Sequence, residues 1–163
     1  MKNPDIIFQR IYTLPDLKRL IAGWKALGKK VAFSNGCFDI LHEGHISALS
    51  QAAKEGDYLV IGVNSDASTK RLKGPNRPVN NEHSRALLLA SLIMVDAVII
   101  FEEDTPLELI SAIMPDAIVK GGDYTILQIV GAKEVIANGG RVVINSIKEG
   151  FSTTGIIDKI HKI

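Results

Sequence analysis

The residues of this chain best equipped for chemistry lie together in Asn35-Gly36-Cys37-Phe38-Asp39-Ile40-Leu41-His42-Glu43-Gly44-His45. His42 and His45 are three positions apart and share a face wherever the backbone there is helical. Imidazoles at a helix start stand beside free backbone N–H groups and the positive end of the helix dipole, a setting suited to polyphosphate. Gly44 between them lets a phosphate approach the main chain where a side chain would obstruct it. A lone histidine is ordinarily a surface or core residue with no task. Two histidines, Gly36, Gly44 and Asp39 in one short stretch ask for a joint explanation. A zinc site of His42, His45 and Asp39 has tight spacing and lacks a clear fourth ligand. Nothing nearby would activate Cys37 as a thiolate, so it reads as a small residue beside a ligand rather than a nucleophile. The stretch contains no GxGxxG, so a dinucleotide fingerprint is absent.

A second group of residues is cationic. Lys70, Arg71, Lys73, Arg77 and Arg85 stand against Asp66 and Glu82 alone. A charge run of this kind is ordinarily a solvated face. Beside a phosphate site it suits a clamp, with Lys73, Arg77 and Arg85 the foremost candidates and Arg71 facing water. Residues 65–80 read as a loop of about sixteen residues, a length typical of lids. Two further segments carry polar groups at turns: Lys120-Gly121-Gly122-Asp123-Tyr124, and Ser152-Thr153-Thr154, which also reads as an ordinary helix cap.

These groups need elements to position them. Thr13-Leu14-Pro15-Asp16 is a helix start, and Leu17, Leu20, Ile21, Trp24 and Leu27 recur at helical spacing until Gly28, giving an N-terminal helix over about 13–27. Trp24 lies on its apolar stripe and reads as packing, with Met94 and Met114 as core or interface candidates. Short apolar runs at Val31–Ser34, Tyr58–Val63, Ala97–Phe101, Ala117–Val119 and Val142–Ile144 read as strands. Between them lie helical patterns around Ile46–Ala53, Leu87–Ile93, the Thr105-Pro106-Leu107-Glu108 capping box and Lys133–Ala137, with a last helix from Ser152 onward. Strands apolar on both faces and alternating with helices predict a parallel sheet covered on each side, here an open, doubly wound, five-stranded α/β domain. In that architecture ligands sit beyond the carboxyl ends of the strands, where strand order reverses.

Composition narrows the function classes. The chain has 163 residues, 46% hydrophobic and 23% charged, with 19 Lys+Arg against 18 Asp+Glu and a formal net charge of +1. One domain over residues 1–163 is expected. Near-neutrality gives no support to a nucleic-acid or polybasic membrane partner, which small-molecule chemistry does not need. The single cysteine excludes an internal disulfide. Neither a leader nor an apolar run of the length that crosses a bilayer is apparent, so a cytoplasmic location is expected.

The histidine stretch resembles the HxGH signature of the nucleotidyltransferase superfamily. Val63-Asn64-Ser65-Asp66-Ala67-Ser68-Thr69-Lys70-Arg71-Leu72-Lys73-Gly74, Arg77-Pro78-Val79-Asn80, Phe101-Glu102-Glu103-Asp104-Thr105-Pro106, Val119-Lys120-Gly121-Gly122-Asp123-Tyr124 and Ser152-Thr153-Thr154 are similar, more specifically, to the adenylyltransferase domain of bifunctional ADP-heptose synthases. The resemblance runs over nearly the whole chain. It implies a Rossmann-like fold of the nucleotidyltransferase (HUP) type and a reaction of ATP with D-glycero-D-manno-heptose 1-phosphate, giving ADP-heptose and pyrophosphate with Mg²⁺. His42, His45 and Lys73 become the catalytic candidates. The resemblance further assigns Asn35, Gly36, Cys37, Phe38, Asp39 and Gly44 to the ATP phosphates. Arg77, Arg85, Lys120, Gly121, Asp123, Ser152, Thr153 and Thr154 would complete the binding set. Many relatives carry a basic residue three positions after the motif's last threonine; here that position is Ile157, with Lys159 two residues beyond. A separate heptose kinase is expected to supply the substrate, and a homo-oligomer is expected, with the N-terminal helix a candidate interface. Two other readings share the site: a cytidylyltransferase for glycerol 3-phosphate or a similar alcohol phosphate, and a non-catalytic nucleotide-binding regulator.

Overall fold

The computed structural model describes residues 3–122, 124–146 and 150–163. Five strands form one parallel sheet: β1 (Val31–Gly36), β2 (Tyr58–Asn64), β3 (Ala97–Phe101), β4 (Ala117–Gly121) and β5 (Arg141–Asn145), in the order β3-β2-β1-β4-β5. The chain builds outward from β1 to β3, crosses back, and continues on the other side of β1 with β4 and β5. Strand order therefore reverses between β1 and β4, and the crevice beyond their carboxyl ends is where such sheets take ligands.

The apolar strand runs fold this way because alternate residues face opposite sides of a sheet. Val31, Phe33, Val60, Ala97, Ile99, Phe101 and Ile118 bury one face under α2 (Leu14–Ala26), α6 (Leu107–Ile113) and α7 (Ala132–Ala137). Ala32, Leu59, Ile61, Val63, Val98 and Val119 bury the other under α3 (Glu43–Ala52) and α5 (Glu82–Ala90). The remaining helices are a short α1 (Ile6–Gln9), α4 (Asp66–Lys73) and α8 (Thr153–Ile160). The β3 edge is covered in part by the N-terminal segment, where Val98 N–H donates to the Arg10 carbonyl and Tyr12 N–H to that of Val98, both at 2.8 Å.

Three expectations change. Residues 65–80 are not all loop: Ser65 caps α4, accepting from Ser68 N–H at 3.1 Å, and Gly74 ends it at φ 102°. α4 buries Ser68 and Thr69 rather than an apolar stripe, so hydrophobic periodicity could not reveal it. The third helix starts at Glu82, where Asn81 accepts from Ser84 N–H at 2.9 Å, and stops at Ala90, which leaves Leu92 and Ile93 outside it. Thr105 does not cap α6; Pro106 occupies the cap position without a side-chain bond. The N-terminal helix forms as expected, with Thr13 accepting from Asp16 N–H. Part of its apolar stripe is used inside the domain: Leu17 and Ile21 are buried in the core and Trp24 stacks on Tyr58 at 4.0 Å, while Leu14 and Leu27 stay exposed.

Candidate active site

β1 delivers Asn35 and Gly36 to the carboxyl edge of the sheet, and the chain then turns through residues 37–42 into α3. Phe38 sits at φ 47°, a left-handed conformation that a non-glycine residue adopts only when its surroundings hold it there. Asp39 supplies the hold. Its carboxylate, 2% exposed, accepts from Val79 N–H (2.7 Å), Asn80 N–H (3.0 Å) and the Arg77 guanidinium, and its carbonyl accepts from the Asn80 amide (2.8 Å). The Asp39 side chain is thus an anchor of the loop.

His42 is the N-cap residue of α3 and His45 lies one turn in, so their rings stack with centroids 3.8 Å apart. Phe38 packs on His45 and Phe151 on His42. The Nδ1 atoms of both histidines are buried without a hydrogen-bond partner among the described residues, as is Oδ1 of Asn35. Buried polar atoms are nearly always paired, so a cluster of orphans marks a place where a ligand supplies the partners. Burial, and secondarily the His42 ring, pull His45 down to about 4; burial also lowers His42. Both shifts favour the neutral imidazoles, and an incoming polyphosphate would favour their charged forms. A Cβ on Gly44 would stand 3.1 Å from the His42 ring and from Phe151 Cβ, so glycine here makes room for the histidine itself.

The crevice between β1 and β4 is spanned by Lys120, whose ammonium donates to the Asn35 carbonyl at 3.2 Å. Burial pushes Lys120 down to about 8, opposed by neighbouring Cys37. On the β5 side, Ser152 caps α8, accepting from Gly155 N–H at 3.0 Å, and Thr153 donates to the Ile40 carbonyl at 3.4 Å, tying this helix start to the histidine loop. The starts of α3 and α8 thus border one cavity of about 700 Å³.

That cavity brings together most of the expected set: Asn35, Gly36, Cys37, Phe38, Asp39, His42, Gly44, His45, Lys73, Arg77, Lys120, Gly121, Ser152, Thr153 and Thr154. Asp123 lies outside the described residues. Arg85 does not line it. Expected in the cation clamp, Arg85 is wholly buried and its donors meet protein acceptors on neighbouring segments. Arg71, expected to face water, is exposed, and it also pairs with Asp104 at 2.6 Å and donates to the Glu102 carbonyl at 2.7 Å, while Lys73 is exposed at the cavity edge. Neither Ile157 nor Lys159 lines the cavity, so Lys159 does not stand in for the missing basic residue there. Asn64, Leu72, Asp104, Thr105, Pro106, Val130 and Phe151 also line it. Apart from Asn64, Leu72, Asp104, Thr105 and Pro106, which belong to recognised motifs, these residues carry no local spacing signal that would single them out.

Comparison with known proteins gives concordant relatives. The bifunctional protein HldE of Mesorhizobium japonicum is 58% identical over 142 residues, which are 87% of this chain and 29% of that protein. HldE of Shigella sonnei is 53% identical over 152 residues, 93% of this chain and 32% of its own length. The chain spans about a third of the length of these curated relatives. Among solved structures, the lipopolysaccharide core biosynthesis protein from Thermoplasma volcanium aligns at a TM-score of 0.59 and 34% identity, covering 74% of this chain and 98% of that one. Pantoate-beta-alanine ligase from Francisella tularensis, 15% identical, shares the fold at a TM-score of 0.59 over 94% of this chain and 78% of its own. The sheet and its flanking helices are of the nucleotidyltransferase (HUP) type. Residues 33–159 match the cytidylyltransferase-like family. That span opens in the strand that delivers the histidine loop and closes in the last helix, taking in every segment that borders the cavity, and the chain belongs to the cytidylyltransferase-like family of nucleotidyltransferases.

Proposed function

We propose that this chain transfers AMP from ATP to D-glycero-D-manno-heptose 1-phosphate, releasing pyrophosphate and giving ADP-heptose, an activated donor for lipopolysaccharide or another heptose-containing glycan. The observation that carries the nucleotidyl-transfer part is the stacked His42–His45 pair, with both Nδ1 atoms unpartnered among the described residues, at a cavity bordered by two helix starts. The heptose part rests on the segments similar to ADP-heptose synthases and on the identity to HldE.

The acceptor's phosphate oxygen is ionised near neutral pH and attacks the α-phosphorus of ATP in line, without a covalent enzyme intermediate. The protein then has to position two polyanions and neutralise the charge that grows on the departing pyrophosphate. His42 and His45 hold the phosphates from the start of α3, and Lys120 and the α8 start face them across the crevice. Lys73 and Arg77 enter from the β2 side, where they meet the acceptor phosphate. The cavity's imidazole, ammonium and guanidinium groups suit phosphate, and the Asp39 and Asp104 carboxylates are already paired with Arg77 and Arg71. Mg²⁺ would thus come with the triphosphate, held by its oxygens and water, and supply charge screening.

The test is a pyrophosphate-release matrix of ATP, CTP and GTP against both heptose 1-phosphate anomers and glycerol 3-phosphate, with and without Mg²⁺. Release is expected only from ATP with a heptose 1-phosphate and Mg²⁺. Release from CTP with glycerol 3-phosphate would instead establish cytidylyl transfer to an alcohol phosphate. Tight ATP binding without release in any combination would make the chain a nucleotide-binding regulator.

A further inference from the structure

Arg85 and Asp39 are the two buried charges of the described residues, 0% and 2% exposed. Arg85 sits on α5, whose neighbouring positions Ala86, Leu89 and Ala90 pack into an apolar core. A well-packed apolar side chain generally serves a fold as well as a buried ion does, so folding alone does not call for a guanidinium here.

The partners of Arg85 give a better reason. Nη1 donates to the Cys37 carbonyl (2.5 Å) and the Asn64 carbonyl (2.8 Å), Nε to the Asn80 carbonyl (2.9 Å), and Nη2 to the Asp66 carboxylate (2.7 Å). Those acceptors lie on four different segments, and each segment mounts a group that faces the cavity. Cys37 belongs to the histidine loop, Asn64 ends β2, Asn80 closes the loop that carries Arg77, and Asp66 opens the helix that ends in Lys73. Asp39 works on the same junction from the other side, taking the Asn80 N–H while Arg85 takes the Asn80 carbonyl. The Asn80 main chain is thereby held on both sides, between the histidine loop and the cation-bearing segments.

We propose that Arg85 is a positioning residue: a buried clamp that sets Lys73 and Arg77 at their working distance from the His42–His45 pair. The proposal rests on the nucleotidyl-transfer reading above. Misplacing a charge by an ångström can cost on the order of a hundredfold in rate, and α4 turns a small change at Asp66 into a displacement at its far end, roughly 10 Å away.

Asp66→Ala removes one arm of the clamp at a half-exposed residue outside the cavity. Combined with Lys73→Ala, it forms a double-mutant cycle that separates positioning from folding. Asp66→Ala is expected to lower kcat/KM about tenfold in the wild-type background and less than twofold when Lys73 is already alanine. Arg85→Lys, which keeps the charge and loses the planar fork, is expected to lower kcat about a hundredfold with the KM for ATP within threefold. An equal loss in both Lys73 backgrounds, or no loss at all, overturns the clamp, whatever Arg85→Lys does to folding. The wild-type protein is assayed first. Absence of pyrophosphate release there counts against the reaction, and the same four proteins are then compared by their Kd for tripolyphosphate, in which coupling sustains the clamp and its absence overturns it.

Discussion

At the amino ends of the strands, acidic residues close off the backbone. Asp57 accepts from Lys30 N–H at 2.8 Å, Asp96 from Leu59 N–H at 2.8 Å and Asp116 from Val31 N–H at 2.9 Å, each acid preceding one strand and holding the start of its neighbour. At the carboxyl ends, Asn35, His42, His45 and Asn145 each keep a buried side-chain atom without a partner among the described residues. The same sheet thus completes its own hydrogen bonding where nothing binds and leaves it open where a ligand can complete it. Charge follows the same division: Lys30 pairs with Asp116 at 3.0 Å, while Lys73 and Lys120 are turned to the cavity.

The largest effect that would break or sharpen this contrast comes from the carboxyl end. His42→Ala and His45→Ala should each lower kcat for pyrophosphate release by about 10²–10³-fold, the range for removing one preorganised group that stabilises developing charge. Their thermal unfolding midpoints should stay within a few degrees of the parent, because the rings lose no hydrogen bonds to the described residues. Near-normal turnover in both variants would remove the histidines from the chemistry. A collapse of stability with turnover retained would make the carboxyl end as structural as the amino end.

What the sequence disclosed divides along a related line. Strand runs, the caps at Thr13 and Ser152 and the stop at Gly28 are local signals, and the structure contains each of them. The two histidines were legible for the same reason, since spacing within one turn is enough to bring them together. α4 was hidden because it buries hydroxyl side chains instead of an apolar stripe. Arg85 was misplaced because its basic character is visible in sequence, whereas its burial depends on carbonyls from residues as distant as Cys37. Gly44 stands out in the sequence as room for a phosphate, whereas in the structure the space that its missing Cβ leaves is taken by the His42 ring and Phe151. Phe151 and Val130 reach the cavity only through the closing of the sheet, which no short window of sequence contains.

A smaller effect belongs to the amino end. Asp116→Ala leaves the Val31 N–H without its acceptor and removes the Lys30 ion pair, so the unfolding free energy should fall by about 1–2 kcal/mol. The variant's kcat should remain within twofold of the parent, because Asp116 lies at the opposite edge of the sheet from the cavity. Denaturant titration reads the first quantity and the pyrophosphate assay the second. A large loss of turnover without loss of stability would mean that the two ends are not independent.

The last effect distinguishes the two ends by pH. His45 is held at about 4 in the folded chain by burial and the adjacent His42 ring, against an ordinary value of 6.5. The unfolded chain therefore binds more protons between those values, so this residue's contribution is complete above pH 6.5 and is lost as pH falls toward 4. The amino-end acids behave differently. The Lys30 N–H lowers Asp57, and at Asp116 burial pushes upward but is outweighed by the Val31 N–H and Lys30, so both contributions persist until pH falls below the ordinary 3.8. Asp96 has the opposite sign: burial raises it against the Leu59 N–H and Arg10, so its contribution diminishes as pH rises above 3.8. Urea titrations at pH 7, 6 and 5 should thus show stability declining, and His45→Asn should flatten the decline while Asp116→Ala leaves its slope unchanged. Tripolyphosphate should also flatten it, since an anion that favours the charged imidazoles raises their folded values and takes up protons on binding. A parent protein of constant stability over those pH values, or a decline that survives His45→Asn in full, would mean that the buried pair is not what distinguishes the carboxyl end.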